Sequence, residues 1–339
     1  MKKHSNILLG HGSGGKLTHD LISNLFASRF ANPILAQQGD SALLPLESGM
    51  LTFTTDSFVV DPLFFPGGNI GHLAVAGTVN DLAVSGATPK YLSAAFIIEE
   101  GFPMESLEQI VETMAEEAKK AGVLIVTGDT KVVDKGKCDK LFINTSGVGF
   151  LPETHAHISS GKNIQLGDKI IVNGSIGDHG MAIMAARNDL KITTAINSDC
   201  ACLNHLIEDA IEGCSSVRFM RDATRGGLGT VLSELVSGKP FGLLVDETSI
   251  QVKNNVRGLC EMLGFDPLYV ANEGKVVMVV GKEDADKVLS KLRNHPLGKD
   301  ASIIGEITEN HPGTAWLETL VGGKRIIEML SGHQLPRIC

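Results

Sequence analysis

Five aspartates stand beside small or hydroxyl residues: Asp40 in GDSA, Asp56 in TTDSF, Asp81 in GTVNDLA, Asp129 in TGDTK and Asp222 in RDATRGG. One such aspartate is commonly a turn former or a helix cap. Several in one chain favour convergence on a hard cation, because unpaired buried carboxylates carry a large desolvation cost. No histidine or cysteine set accompanies them, so the donor chemistry reads as magnesium rather than zinc. Cys200 and Cys202 are two apart near a helix start and do not share a face. His155 and His157 lie in a polar connecting segment without a second ligand pair.

The glycine-rich segment GHGSGGK, Gly10 to Lys16, formally fits two phosphate loops. Gly10, Gly12 and Gly15 match G-x-G-x-x-G, while Gly10, Gly15 and Lys16 match most of a P-loop. Leu17 stands where a P-loop needs Ser or Thr for magnesium, and only Ile7–Leu9 could supply the preceding strand. Two readings remain: a flexible loop that caps the following helix, or clustered backbone N–H groups that attract phosphate.

Cys339 is the last residue of the sequence. Chance can leave a cysteine there, but an exposed unpaired thiol on a mobile arm is a hazard unless it is used. The final SGHQLPRIC lacks a hydrophobic face and contains Gly332 and Pro336, so an exposed, flexible tail is expected. Fully extended, it reaches roughly 30 Å. A terminal carboxylate raises a neighbouring thiol's pKa, and Arg337, on the same side of an extended chain, is expected to offset that. Such a thiol can receive a group at one place and carry it to another.

The elements that must position these residues alternate between helix and strand. Strands are expected at 51–55, 91–98, 123–127, 141–148, 169–173, 241–246, 275–281 and 302–307. Helical spacing appears at 15–30, at 107–118 with Gly122 as the stop, and at 203–212, 226–236, 254–263 and 284–293. The segment 151–167 is polar, without period, and carries Pro and Gly, which makes it the boundary. The expected organisation is therefore α+β in layers. An N-terminal glycine loop and helix (1–34) precede domains at 35–150 and 165–310, and a hairpin with the tail spans 311–339. The 339 residues include 43% hydrophobic and 20% charged, ordinary for a chain that buries a core. A net charge of −9 argues against non-specific binding to nucleic acid or to anionic membranes. No apolar run reaches the ~18 residues of a membrane span, and the stretch after Met1 is too short for a signal peptide. Six sparse cysteines without a disulfide pattern fit free thiols in a reducing cytoplasm. With 38 glycines and only 5% aromatics, phosphate binding suits the chain better than base stacking.

The motifs HGSGGK, FTTDSFVVDPLFFPGGNIG, GTVNDLAVSGA, GDTKVV, RDATRGG, ANEGK, HPLGKDASIIGE and the final PRIC together resemble the HypE family of hydrogenase maturation factors, over essentially the whole chain. That family lies within the superfamily of aminoimidazole ribonucleotide synthetase and selenophosphate synthetase, and PRIC sets it apart there. The resemblance implies an N-terminal α/β domain whose sheet forms a homodimer, followed by an α+β domain, with ATP and Mg2+ in the N-domain cleft. It implies carbamoylation of Cys339 by a HypF-type carbamoyltransferase and ATP-dependent dehydration of the S-carboxamide to a thiocyanate (S-cyanide). The cyanide then passes to iron on a HypC–HypD complex as a ligand of the [NiFe] centre.

Residue roles follow from the same resemblance. Gly12, Gly14, Gly15, Lys16, Asp56, Asn80, Asp81, Asp129 and Thr130 would hold the nucleotide, and Asp40, Asp56, Asp81, Asp129 and Asp222 the metal. Glu273 in NEG would be the base that takes the nitrogen protons, and Lys131 would orient the carboxamide; alternatively they are a turn residue and a solvated charge. Two rivals stand beside this reading. A superfamily enzyme phosphorylating a free substrate is disfavoured, since HGSGGK lacks the Cys expected of a selenophosphate synthetase. A non-catalytic nucleotide-binding scaffold that presents its tail is the other.

Overall fold

Alternating apolar and polar residues build the first sheet. The computed structural model describes residues 5–8, 11, 16–35, 49–187, 196–330, 335 and 337–339. Strands β1 (Met50–Phe58), β4 (Thr88–Glu99), β5 (Leu124–Val133) and β6 (Leu141–Leu151) lie in the order β1-β6-β4-β5. Only β4 and β5 run parallel, joined through α4 (Met104–Ala121). The buried stripe of that helix is Leu107, Ile110, Val111, Met114 and Ala118, and Gly122 ends it at φ 71. The first helical stretch, α1 (Lys16–Leu21), a wider turn (Ile22–Phe26) and α2 (Ala27–Arg29), packs Phe26 on Phe96 of β4 with ring centroids 4.8 Å apart.

A two-residue ladder, β2 (Phe64–Phe65) with β3 (Gly68–Asn69), delivers the chain into α3 (Ile70–Val84). Asn69 caps this helix by accepting hydrogen bonds from the N–H groups of Gly71 and His72. α3 is apolar on nearly every side because it is enclosed on every side. One face meets the sheet, where Thr78 and Thr145 hydroxyls lie 2.5 Å apart. Another meets α4, and a third carries Ala83 and Val84 into a cluster with Leu203 and Leu206 of the second domain. The helix was not foreseen at 70–84, since a helix buried all round has no amphipathic period.

The second domain is a seven-stranded sheet. Its strands are β7 (Lys169–Val172), β8 (Val217–Asp222), β9 (Gly242–Asp246), β10 (Val276–Val280), β11 (Ser302–Thr308), β12 (Ala315–Glu318) and β13 (Lys324–Ile327). They lie in the order β13-β12-β9-β11-β7-β10-β8, with only β12 and β9 parallel. The β12–β13 hairpin is thus the edge of this sheet. Strand β10, VVMVV, is buried on both faces. Val277 and Val279 join a core with α7 (Gly227–Val236), while Val276, Met278 and Val280 join one with α6 (Asn204–Ile211) and α9 (Ala285–Asn294). Two further helices, α5 (Asp178–Ala186) and α8 (Asn254–Leu263), pack together around Met181 and Val256. Between the sheets, His155 and His157 bond the carbonyl oxygens of Gly86 (2.9 Å) and Val217 (2.8 Å), so the connecting segment is fastened to both domains.

The described end of the chain departs from the expected exposed tail. Ile338 is only 2% exposed, and Leu335, Ile338 and Cys339 pack with the N-domain core. Residues 331–334 and 336 lie outside the described residues. No period announced this docking, because the receiving surface is assembled from residues 59–61, 139, 179 and 187.

Close approach of α3 and α4 depends on Gly71: a Cβ there would stand 2.5 Å from the Ile110 carbonyl oxygen. Backbone cannot yield as a flexible side chain does. Gly71→Ala is expected to lower unfolding free energy by about 1–3 kcal/mol in a denaturant titration, despite alanine's better helix propensity.

Candidate active site

Four segments bring carboxylates to the cleft between the domains. Asp56 sits on β1, on the face covered by α3, and Asp81 projects from α3, where its Oδ2 accepts a 2.7 Å hydrogen bond from Thr54. Asp222 ends β8, and Glu273 lies in the loop before β10. Burial, then the Asp81 charge, pushes Asp56 up to about 6. Burial also raises Asp81. Burial with the charges of Asp81 and Asp56 takes Asp222 up to about 7. Glu273 rises well above the usual range, through burial and then the charges of Asp199, Asp222 and Asp56. Its Oε1 is buried without a hydrogen-bond partner. Four carboxyl groups therefore face one space, where burial and, for Asp56, Asp222 and Glu273, a neighbouring carboxylate resist ionisation.

The Glu273 loop is held from three directions. Asp199 accepts the N–H groups of Glu273 (3.1 Å) and Gly274 (3.2 Å) and the Lys275 ammonium at 2.8 Å. The paired side chains are only 9% (Lys275) and 5% (Asp199) exposed, so each needs the other's charge. Burial works against the Asp199 charge, yet Lys275 holds its carboxyl below the usual value. Asn272 accepts from the Gly177 N–H at 2.7 Å and donates to the carbonyls of Ala223 and Val270. Asn80 donates to the carbonyls of Ala201 (3.0 Å) and Glu273 (3.3 Å) and accepts from the Leu203 N–H at 2.7 Å.

Cys339 enters the same space. Its carbonyl accepts the Val59 N–H at 3.1 Å, and burial, then the Glu273 charge, pushes its thiol up to about 12. Arg225 opposes that rise, first through its charge. The expected cation, Arg337, is engaged elsewhere: its guanidinium pairs with Asp139 and donates to the Val59 carbonyl at 3.0 Å.

Several expected site residues fall in other places. Asp129 and Lys131 lie on the opposite, open face of the sheet, paired with each other at 3.1 Å, their side chains 63% and 65% exposed. Strand alternation is the reason: Asp129 is in register with Ala95, whereas Asp56 is in register with Thr145, which is buried beneath α3. The Lys131 ammonium is thus committed to Asp129 rather than turned to Glu273 or Cys339. Thr130 is in register with Phe96, and its N–H donates to Asp129 at 2.8 Å. Asn80 spends its amide on backbone, so it positions the Glu273 loop. Lys16 begins α1, and Gly12, Gly14, Gly15 and Asp40 lie outside the described residues.

Carboxylate oxygens are the donors a hard divalent cation takes, and positive charge would relieve the mutual repulsion of Asp56, Asp81 and Asp222. Among the described residues, however, no three His, Cys, Asp or Glu side chains are grouped closely enough to hold an ion by themselves. Asp199, Lys275, Arg225, His179 and Arg187 were not singled out from sequence. Asp199, between Ser198 and Cys200, meets the same small-neighbour criterion that marked the other aspartates. All six cysteines are free, and no described helix is long and apolar enough to cross a membrane.

Residues 38–151 match the AIR synthase related protein N-terminal domain, and 165–317 match its C-terminal domain. The chain is 49% identical to carbamoyl dehydratase HypE of Rhodobacter capsulatus, covering 99% of both chains. It is 49% identical to that of Escherichia coli K12, over 99% of this chain and 100% of the relative. The crystal structure of HypE in complex with ATP aligns with a TM-score of 0.93 at 46% identity, covering 98% of this chain and 99% of that one. A HypE–HypF complex aligns at 0.79 with 49% identity, covering 91% and 99%.

Removing one charge of the Asp199–Lys275 pair leaves the other buried and uncompensated. Asp199→Asn is expected to lower unfolding free energy by about 3–5 kcal/mol, and adding Lys275→Met should restore much of it. Denaturant melts of both variants check this.

Proposed function

The chain belongs to the HypE family of carbamoyl dehydratases, built on the AIR synthase related fold, and we propose that it dehydrates a carbamoyl group carried on its own Cys339. The observation that carries this reading is the placement of the Cys339 thiol between the domains, beside Glu273, Asp56 and Arg225. A thiol there can return with a bound carboxamide to groups able to act on it.

The chemistry sets the requirements. A carboxamide oxygen leaves poorly as hydroxide and well as phosphate, so ATP phosphorylates it. Loss of phosphate and of both nitrogen protons then gives the thiocyanate, ADP and phosphate. Asp56, Asp81 and Asp222 would hold Mg2+, whose charge neutralises the phosphates. Glu273 is the proposed base: a carboxyl with so strong a hold on protons becomes an avid acceptor once ionised. Arg225 would steady the sulfur end of the carboxamide, in the place first assigned to Lys131.

A HypF-type carbamoyltransferase would load the thiol, in keeping with the HypE–HypF complex, and a HypC–HypD complex would receive the cyanide. The open face of the first sheet supports homodimer formation. It carries Leu51 and Phe53 of β1, Ile97 of β4 and Leu124 of β5, with Phe53 72% exposed. Asp129 and Lys131 share that face and would lie at the dimer contact. We place the protein in the cytoplasm, a reducing compartment that suits its free thiols.

Mass spectrometry of the tail with the carbamoyltransferase, its donor and ATP tests this. The intact protein should gain about 43 Da and then lose about 18 Da as acyl transfer is followed by dehydration. Cys339→Ala is expected to show neither change while folding and binding ATP normally; a tail that still gains the first mass removes the carrier role. Glu273→Gln replaces a protonated acid with a neutral isostere and should fold. It should stall after the first gain, with water loss slowed about 100-fold or more. Cyanide formation at the normal rate would assign the base elsewhere.

A further inference from the structure

The docked tail is gripped by its backbone. Arg187 Nη2 donates to the Arg337 carbonyl at 2.9 Å, where the Asp61 N–H also arrives at 3.3 Å. His179 Nε2 bonds the Ile338 carbonyl at 2.7 Å, and the Val59 N–H takes the Cys339 carbonyl at 3.1 Å. Three successive carbonyls are thus claimed by four donors. Such contacts count residues rather than read side chains: a slip of one residue moves the sulfur by about 3.3 Å.

His179 is built to donate in one direction. It is fully buried, with its ring edge-on to Phe65 at 5.6 Å and 85°. Burial lowers its pKa, so the imidazole is neutral and carries one N–H. The Ile338 oxygen can only accept, which places that proton on Nε2. Nδ1 then accepts from the Ser198 hydroxyl at 2.8 Å, and Ser198 Oγ accepts the Cys200 N–H at 3.0 Å. Ser198 is itself pinned by its N–H to the Pro66 carbonyl at 2.8 Å. The tautomer and ring orientation are therefore set by groups outside the tail.

We propose that His179 and Arg187 are positioning residues that grip the tail backbone and fix the register in which Cys339 meets Glu273. The inference rests on the carbamoyl dehydratase reading and deepens it. In the docked position Cys339 is partly buried against the N-domain core, with its thiol in the field of Glu273, Arg225 and Asp56, so carbamoyl acceptance takes place with the tail released. The grip serves the dehydration step alone, and the two half-reactions should separate.

The test uses the full chain with the carbamoyltransferase, its donor and ATP. His179→Leu, Arg187→Met and a glycine inserted between Ile338 and Cys339 should each gain the carbamoyl mass at the wild-type rate. Each should then lose water about 100-fold more slowly, since misplacement of about 1 Å costs that much. His179→Gln keeps a donor and should recover at least about tenfold of that loss. The insertion alters no core side chain, so it remains informative if His179→Leu does not fold. Normal dehydration in the insertion variant and in a folded His179→Leu overturns the proposal, as does parallel loss of both steps. Alkylation of Cys339 without ATP, read by peptide mass mapping, separates this proposal from the reading beneath it. It should accelerate in His179→Leu and in the insertion variant whatever chemistry the cleft performs; unchanged labelling sinks the grip. A wild-type chain that neither gains nor loses mass sinks the dehydratase reading while labelling still judges the grip.

Discussion

The cleft gathers like charges in a place where burial weakens their screening by water, and this constraint governs what surrounds it. Asp56, Asp81, Asp222 and Glu273 all have raised pKa values, each partly or wholly through burial. The loop that carries Glu273 is anchored by a charge of the same sign, Asp199, which remains ionised because Lys275 lies 2.8 Å away. One carboxylate is thus kept charged by a dedicated ammonium, and its charge helps to keep the neighbouring one protonated. Two neighbouring acids are thus driven in opposite directions, Glu273 up by burial and then by nearby charge, Asp199 down by Lys275.

α3 explains how neighbouring residues take different tasks. Successive helical positions point about 100° apart, so Asn80 and Asp81 cannot face the same space. Asp81 turns to Thr54 and the cleft, while Asn80 turns to the backbone of residues 201, 203 and 273. One helix therefore presents a carboxylate and ties the facing loop to it. Gly274 completes the fit, since a Cβ there would lie 1.9 Å from the Asp199 carbonyl oxygen.

Legibility followed amphipathicity. Strands such as 91–98 and 141–148, and the helix with Leu107, Ile110, Val111 and Met114 on one stripe, carry their period in the sequence. α3 and α5 do not, because both are mostly enclosed. Isolated aspartates marked Asp56, Asp81 and Asp222, which the cleft does bring together. The same criterion could not tell that Asp129 points away, since the side of a strand that is covered is decided by a helix elsewhere in the chain. The tail was read as exposed for lack of a hydrophobic face. Its docking draws mainly on carbonyl groups that every residue possesses, and composition cannot register them.

The bridging of both cores by α3 has a mechanical consequence. With Ala83 and Val84 in the second domain's packing and Thr78 fixed to the first sheet, the cleft walls are welded rather than hinged. Many nucleotide enzymes seal their chemistry by swinging a lobe shut; on the proposed reading the walls here stay fixed and the reactant arrives on a tether. Turnover then becomes a matter of peptide traffic.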